Sequence, residues 1–275
     1  MIELFFNSDF LTNSLIACIL ASISCGIIGP YIVVKRIVFI SGGIAHTAYG
    51  GIGLGYLLGF NPLLGAVGFS IASACFISYM KITHKQYEDT LIGIMWSAGM
   101  ALGVLFVYLS PGYAPDLMSY LFGNILTISE SEILLITSLN IIIILTVVFN
   151  FANFQAIIFD EEYSYSIGLP VNKLNLLLMI LIALTVVILI KLVGIILVIA
   201  LMTIPASISR NFASSMKGLM IISTILGIVF SILGLLLSYY LNLPSGSTII
   251  LVAVIVYLTT YFKNTFLKIK DLKID

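Results

Sequence analysis

The chain has 275 residues, 61% of them hydrophobic and only 9% charged, with a mean hydropathy of +1.20. A water-soluble domain carries about 25% charged residues, so this composition excludes a water-facing globular surface and calls for an integral membrane protein. The formal net charge is zero, which offers nothing to nucleic acid or to an acidic partner.

The N-terminal MIELFFNSDF has no Lys or Arg and no small-residue cleavage site. A removable signal is therefore not expected, and the first apolar run should be retained as a helix. In chain order the candidate spans are Phe10–Val34, Phe39–Phe60, Leu63–Met80, Thr90–Ser110, Ser131–Phe149, Leu174–Ile190, Val193–Ser209, Leu219–Leu241 and Ser247–Phe262. Val193–Ser209 is short and holds Pro205, so the expected fold is all-α, a polytopic bundle of eight or nine transmembrane helices forming one domain over residues 1–275.

Basic residues test this arrangement independently. With the N-terminus outside and every span crossing once, eleven of the twelve Lys and Arg residues fall on the inner side, and only Lys191 falls outside. That asymmetry is what the positive-inside rule requires, and it places the C-terminus inside. The stretch Pro111–Ser129 is too polar for a span and reads as an outer loop with a short interfacial or re-entrant helix. Residues 263–275 read as a basic inner tail that meets lipid head groups. Cys18, Cys25 and Cys75 all sit in apolar runs and read as packing residues rather than as a disulfide framework.

Enzyme chemistry has little to stand on. The sequence contains no GxxxxGK[ST], no His-Glu-x-x-His and no GxSxG, and its second histidine, His84, lies in an inner loop. The spans are nearly free of ionisable residues, so a transport role for a small solute is favoured over catalysis.

The stretch SGGIAHTAYGGIGLGYLLG places seven glycines around His46. A neutral imidazole is a frequent transition-metal ligand, and it is also a group that can hydrogen-bond a neighbouring helix. Thr47, Gly51, Gly55 and Gly59 recur every four residues and form a packing stripe. Gly42, Gly43 and Gly50 share the face of His46 and are expected to leave open space around it, with Ser41, Thr47 and Tyr49 as nearby oxygen donors. A second constellation is FDEEYSYSIGLP, residues 159–170. Asp160, Glu161 and Glu162 suit a helix start, and Ile167, Gly168 and Pro170 suit its end, giving a short inner helix that is either a solvated cap or a docking element. The third constellation is the run from Gly194 to Ser207, where Thr203 is placed to bond the carbonyl freed by Pro205, either as a plain kink or as a flexing point.

Four stretches in order carry a resemblance: GPYIVVKRIVFISGGIAHTAYGGIGLGYLLG, EDTLIGIMWSAGMALGVLF, DEEYSYSIGLP and LVGIILVIALMTIPASIS. Together they resemble the membrane permease of zinc/manganese-type ABC importers. The resemblance implies a type II importer fold in a prokaryotic cell membrane and a homodimer with the path between its copies. It further implies cytoplasmic ATP-binding subunits gripping residues 159–170, and an outer metal-binding protein that delivers zinc or manganese as substrate with no resident cofactor. His46 becomes a metal contact by the same resemblance. Many members carry Asp four residues before that histidine, where this chain has Gly42; without that hard oxygen ligand, zinc is expected ahead of manganese. The alternatives are a metal-chelate permease of the same architecture, an ion-coupled secondary transporter, which would need membrane-embedded carboxylates, and a structural subunit.

Overall fold

The computed structural model describes residues 9–83, 88–111 and 118–271; His84 and the extreme N-terminus lie outside these. Among the described residues all regular structure is helical: α1 Asp9–Lys35, α2 Val38–Leu58, α3 Pro62–Thr83, α4 Glu88–Leu109, α5 Met118–Phe122, α6 Glu130–Phe159, α7 Glu161–Ser166, α8 Val171–Val193, α9 Val198–Ser209, α10 Met216–Leu241 and α11 Ser245–Asp271. Each expected span falls on one of these helices, except that of Val193–Ser209 the first residue closes α8, 194–197 form a turn, and only Val198–Ser209 is helix α9. Seven are long and apolar enough to cross a membrane. The twelve-residue α9 is too short, and the glycines and His46 of α2 lower its hydropathy.

A helix that is apolar on every side belongs in the interior, and α8 is that helix. Within its membrane window 78% of residues are buried, against 22% for α4 and 28% for α6. Helices α1, α2, α3 and α6 pack around α8; α10 lies along α1, and α2 is clasped between α3 and α4.

Non-helical backbone inside a membrane protein must satisfy its polar groups internally. At the Lys191 end, the junction between α8 and α9 does so by pairing with α5 and the residues just after it. Ile195 N–H donates to Tyr120 O at 3.0 Å, Ile196 N–H to Leu121 O at 3.3 Å, and Asn124 N–H to Lys191 O at 3.2 Å. Gly194, with φ of +80°, permits this approach, because a Cβ there would lie 2.3 Å from Leu121 O. Lys191, the lone basic residue expected outside, bonds Glu132 at 2.9 Å and lies 5.4 Å from the centroid of the Tyr120 ring. The expected loop helix is thus present as α5 and a 3-10 turn at Ile125–Thr127, folded back onto the bundle.

The opposite end gathers the elements expected inside. Helix α6 does not stop at Phe149, as the sequence suggests, but runs on to Phe159 through a non-helical Asn150 (φ −110°, ψ 15°). The apolar run continues because Phe154 and Ile157 are buried, Phe154 edge-on to Tyr31 at 5.8 Å. Asp160 then caps α7, its carboxylate accepting from Tyr163 N–H at 2.8 Å, and Gly168 ends the turn at φ +80°. Lys35, in the last turn of α1, donates to Glu161 at 2.6 Å and to Asn175 of α8 at 2.8 Å. One ammonium therefore ties α1, α7 and α8 together. The expected tail differs as well: helix α11 continues past Phe262 as far as Asp271. Helix α9 runs through Pro205 as one helix, and Thr203 bonds Ile199 O at 2.7 Å rather than Leu201 O, the carbonyl that Pro205 frees.

Helix α2 owes its central place to glycine. A Cβ on Gly51 would sit 2.1 Å from Gly65 O of α3, and one on Gly99 of α4 would sit 2.4 Å from Thr47 Cα. Gly53 faces Gly103 O at 2.5 Å, and Gly55 faces Pro62 Cα at 2.7 Å. Backbones this close gain dispersion contacts that larger residues forbid.

Two outcomes are expected. Gly51→Val forces α2 away from α3, an overpacking penalty of about 1–3 kcal/mol, and should lower the melting temperature of the detergent-purified protein, while Gly68→Ala, where a Cβ meets open space, should not. The second concerns Glu161. Its partial burial pushes the carboxyl pKa up, but the hydrogen bond and charge of Lys35, the charge of Lys81 and the Asn175 hydrogen bond more than offset this and hold it below its ordinary value of 4.5. A carboxyl depressed in the folded state stabilises fully above the unfolded pKa and loses that contribution as pH falls through the folded one. Thermal melts taken below about pH 4.5 should therefore show a steeper loss of stability in the native protein than in Glu161→Gln.

Candidate functional site around His46

His46 sits in the third turn of α2 and is 6% exposed. Its Nδ1 lies 2.9 Å from Gly42 O, one turn back. A carbonyl oxygen only accepts, so Nδ1 carries the proton and donates, and Nε2 of the neutral ring keeps its lone pair. The imidazole plane is held as well. It stacks on Trp96 of α4 with centroids 3.7 Å apart and planes at 24°. Tautomer and orientation are thus both fixed by protein contacts, the arrangement that prepares a histidine for a metal.

The open space expected around His46 is not present. A Cβ on Gly42 would meet Ile199 Cδ1 at 2.6 Å and Trp96 Cζ3 at 3.0 Å. One on Gly43 would meet Ile92 Cγ2 at 2.7 Å, and one on Gly50 would meet Phe69 Cε1 at 3.0 Å. These glycines therefore admit neighbouring side chains rather than leaving a void. The place that a carboxylate side chain at Gly42 would need is filled by Trp96 and the first turn of α9. The neighbouring hydroxyls bond locally: Thr47 donates to Gly43 O at 2.7 Å and also lies 3.3 Å from Met95 O. Tyr49 is buried against Gly103. Among the described residues no group of three or more His, Cys, Asp or Glu side chains could hold an ion within one chain.

Trp96, Gly65, Gly99 and Gly103 were missed as partners of this stretch. Two signals were available: Trp96 is the one tryptophan in the chain, and Gly99 and Gly103 stand four apart. Beside Trp96, the outer face of α4 presents Thr90, Gly93, Ile94, Ser97, Ala98 and Ala101 around a shallow exposed depression. No described helix of the chain covers it.

The sequence-expected inner residues divide by contact. Asp160, Glu161 and Gly168 shape and anchor α7, as described above. Glu162 and Ser166 are exposed with Tyr163, Tyr165 and Ile167, the latter three being 58%, 51% and 52% exposed. Beneath α7, a cleft of about 340 Å³ is bounded by Ser78, Lys81, Glu161, Tyr165 and Asn175.

Comparison with known proteins bears directly on this arrangement. The model of the ABC 3 transport family matches residues 7–264. A probable metal transport system membrane protein of Chlamydia trachomatis is 39% identical, over 86% of this chain and 83% of its own length. The manganese import system permease protein ScaB of Streptococcus gordonii is 31% identical, over 95% of each chain. Among solved structures, PsaBC from Streptococcus pneumoniae in complex with Fab superimposes with a TM-score of 0.88 at 32% identity, covering 98% of both chains. A multi-pass, all-helical chain matched from near its first helix to its last belongs to the ABC 3 transport family, as a membrane permease of the type II importer fold.

Proposed function

We infer that this chain is the permease of an ATP-driven importer of a divalent first-row metal ion, working as a homodimer with separate ATP-binding subunits. The observation that carries the metal reading is the His46 imidazole, whose Nδ1–H donates to the Gly42 carbonyl so that Nε2 of the neutral ring keeps its lone pair, and whose plane is braced by Trp96. The lean toward zinc gives way to manganese ahead of zinc, because the Streptococcus gordonii relative is named a manganese importer. One imidazole cannot hold an ion by itself, and weak holding suits a protein that must release what it binds. The remaining ligands come from water, from backbone carbonyls or from the second copy.

The small-residue face of α4 supports the homodimer. Gly93, Ser97 and Ala101 recur every four residues on an exposed surface, the pattern that lets helices of two chains approach closely. A path along that face runs beside Trp96, which stands between it and His46. An outer metal-binding protein delivers the ion on the Lys191 side. On the Lys35 side, Glu162, Tyr163 and Ile167 form the surface that an ATP-binding subunit grips. Movement of α7 is passed to α1 and α8 through Lys35 and Asn175.

A secondary transporter is disfavoured because the described carboxylates, such as Asp89, Glu130 and Glu132, lie at helix ends rather than at membrane depth. A permease for a metal chelate is the less favoured reading because the Streptococcus gordonii relative is named a manganese importer.

Uptake of manganese by cells relying on this importer should fall by roughly tenfold or more in His46→Ala, with the permease still present at native abundance; undiminished uptake removes the histidine from the mechanism. Reversing the exposed charge in Glu162→Lys together with Tyr163→Ala should weaken co-purification of the ATP-binding subunit and lower ATPase activity of the complex. Glu161 is unsuitable for this test because its loss disturbs the Lys35 anchor. Unchanged co-purification and ATPase activity would count against docking at α7.

A further inference from the structure

A groove of about 380 Å³ opens on the outside of the bundle between α1, α6 and α10, and its lining includes none of the residues described around His46. Its walls are Ile27 of α1, Val147, Val148 and Phe151 of α6, and Met220 and Ile221 of α10, with Lys217 at one end. Apart from the Lys217 ammonium the lining is apolar. The ammonium lies 5.4 Å from the centroid of the Phe151 ring, within the range of a cation–π contact.

Helix length fixes the height of this groove in the bilayer. At ~1.5 Å per residue, the thirty residues of α6 reach ~45 Å, whereas a hydrocarbon core is ~30 Å thick. The stretch from Glu130 to Phe149 already spans that core, so Asn150 and Phe151 fall at its boundary. Lys217 is in the first turn of α10 and meets Phe151 there. The ammonium therefore lies at head-group level, and the apolar groove descends from it along Val147, Val148 and Ile221 into one leaflet. The distribution of basic residues assigns that leaflet to the cytoplasm.

An apolar groove open to a bilayer is filled by an acyl chain. Lys217 makes no ion pair with a carboxylate among the described residues, so its charge is available to a phosphate. We propose that this groove binds one anionic glycerophospholipid, with an acyl chain against Val147, Val148 and Ile221 and its head-group phosphate paired with Lys217. A zwitterionic lipid fits less well, because its own ammonium competes with Lys217 for the phosphate. This site is separate from the metal path and stands whether or not the transported ion is manganese.

Native mass spectrometry of the purified permease complex, equilibrated with equal dioleoylphosphatidylglycerol and dioleoylphosphatidylcholine, tests the assignment. The native complex should retain one phosphatidylglycerol per permease chain in preference to phosphatidylcholine. Lys217→Glu should reduce that preference by about fivefold or more, as expected from one basic residue at a membrane surface, while leaving the acyl groove intact. Val148→Trp, at a position 64% exposed, should fill the groove and reduce retention of both lipids, with Ile221→Trp as a second filling variant. Melting temperatures of all three should stay near native, since each substituted side chain faces outward. Retention unchanged in Lys217→Glu and in the filling variants overturns the proposal. So does a change in permease oligomeric mass in either Trp variant, which would make the groove a protein interface.

Discussion

Everything in this molecule depends on how closely the backbone of α2 approaches those of α3 and α4. In lipid there is no hydrophobic drive between helices, so association rests on close packing and on polar contacts. Gly51 against Gly65 and Gly99 against Thr47 remove the side chains that would hold the helices apart. Once α2 is clasped in this way, Trp96 of α4 is brought flat onto His46, and Ile199 of α9 is brought against Gly42. The geometry of the histidine is a consequence of glycine packing beside it at Thr47 and about one turn further on at Gly51.

The two ends of the bundle use the same device for different purposes. At one end Lys191 and Glu132 join α8 to α6, while backbone pairing ties the α5 stretch to the α8–α9 junction. At the other, Lys35 joins α1, α7 and α8 through a single ammonium. Exposed ion pairs stabilise weakly, but the Lys35 side chain is only 7% exposed, so losing its partner leaves a charge with little access to water. A short helix held this firmly on one side and exposing aromatic residues on the other is suited to passing a push from a partner into the bundle.

Much of the fold was legible in the sequence because long apolar runs and basic loops are lipid-imposed constraints that leave direct marks. The start and end of α7 were legible for a related reason: Asp160 and Gly168 are local capping chemistry. What could not be read was set by tertiary partners. The extension of α6 past Asn150 depends on Phe154 meeting Tyr31, and the packed surroundings of His46 depend on Ile92, Phe69 and Ile199 arriving from other helices. A glycine shows that something small is needed at its position. It does not show whether the space is left open or is filled from elsewhere, and that is why Gly42 read as a vacancy.

Binding of a metal ion at Nε2 of His46, beneath Trp96, is the step on which the proposed transport turns. Trp96 is the chain's one tryptophan and stacks on that imidazole, so its emission reports on the ring directly. Titrating the purified permease with Mn²⁺, a paramagnetic quencher, should give saturable loss of emission in the native protein and no saturable loss in His46→Gln. Emission that is unmoved in the native protein, or quenched equally in His46→Gln, would contradict metal binding at this histidine.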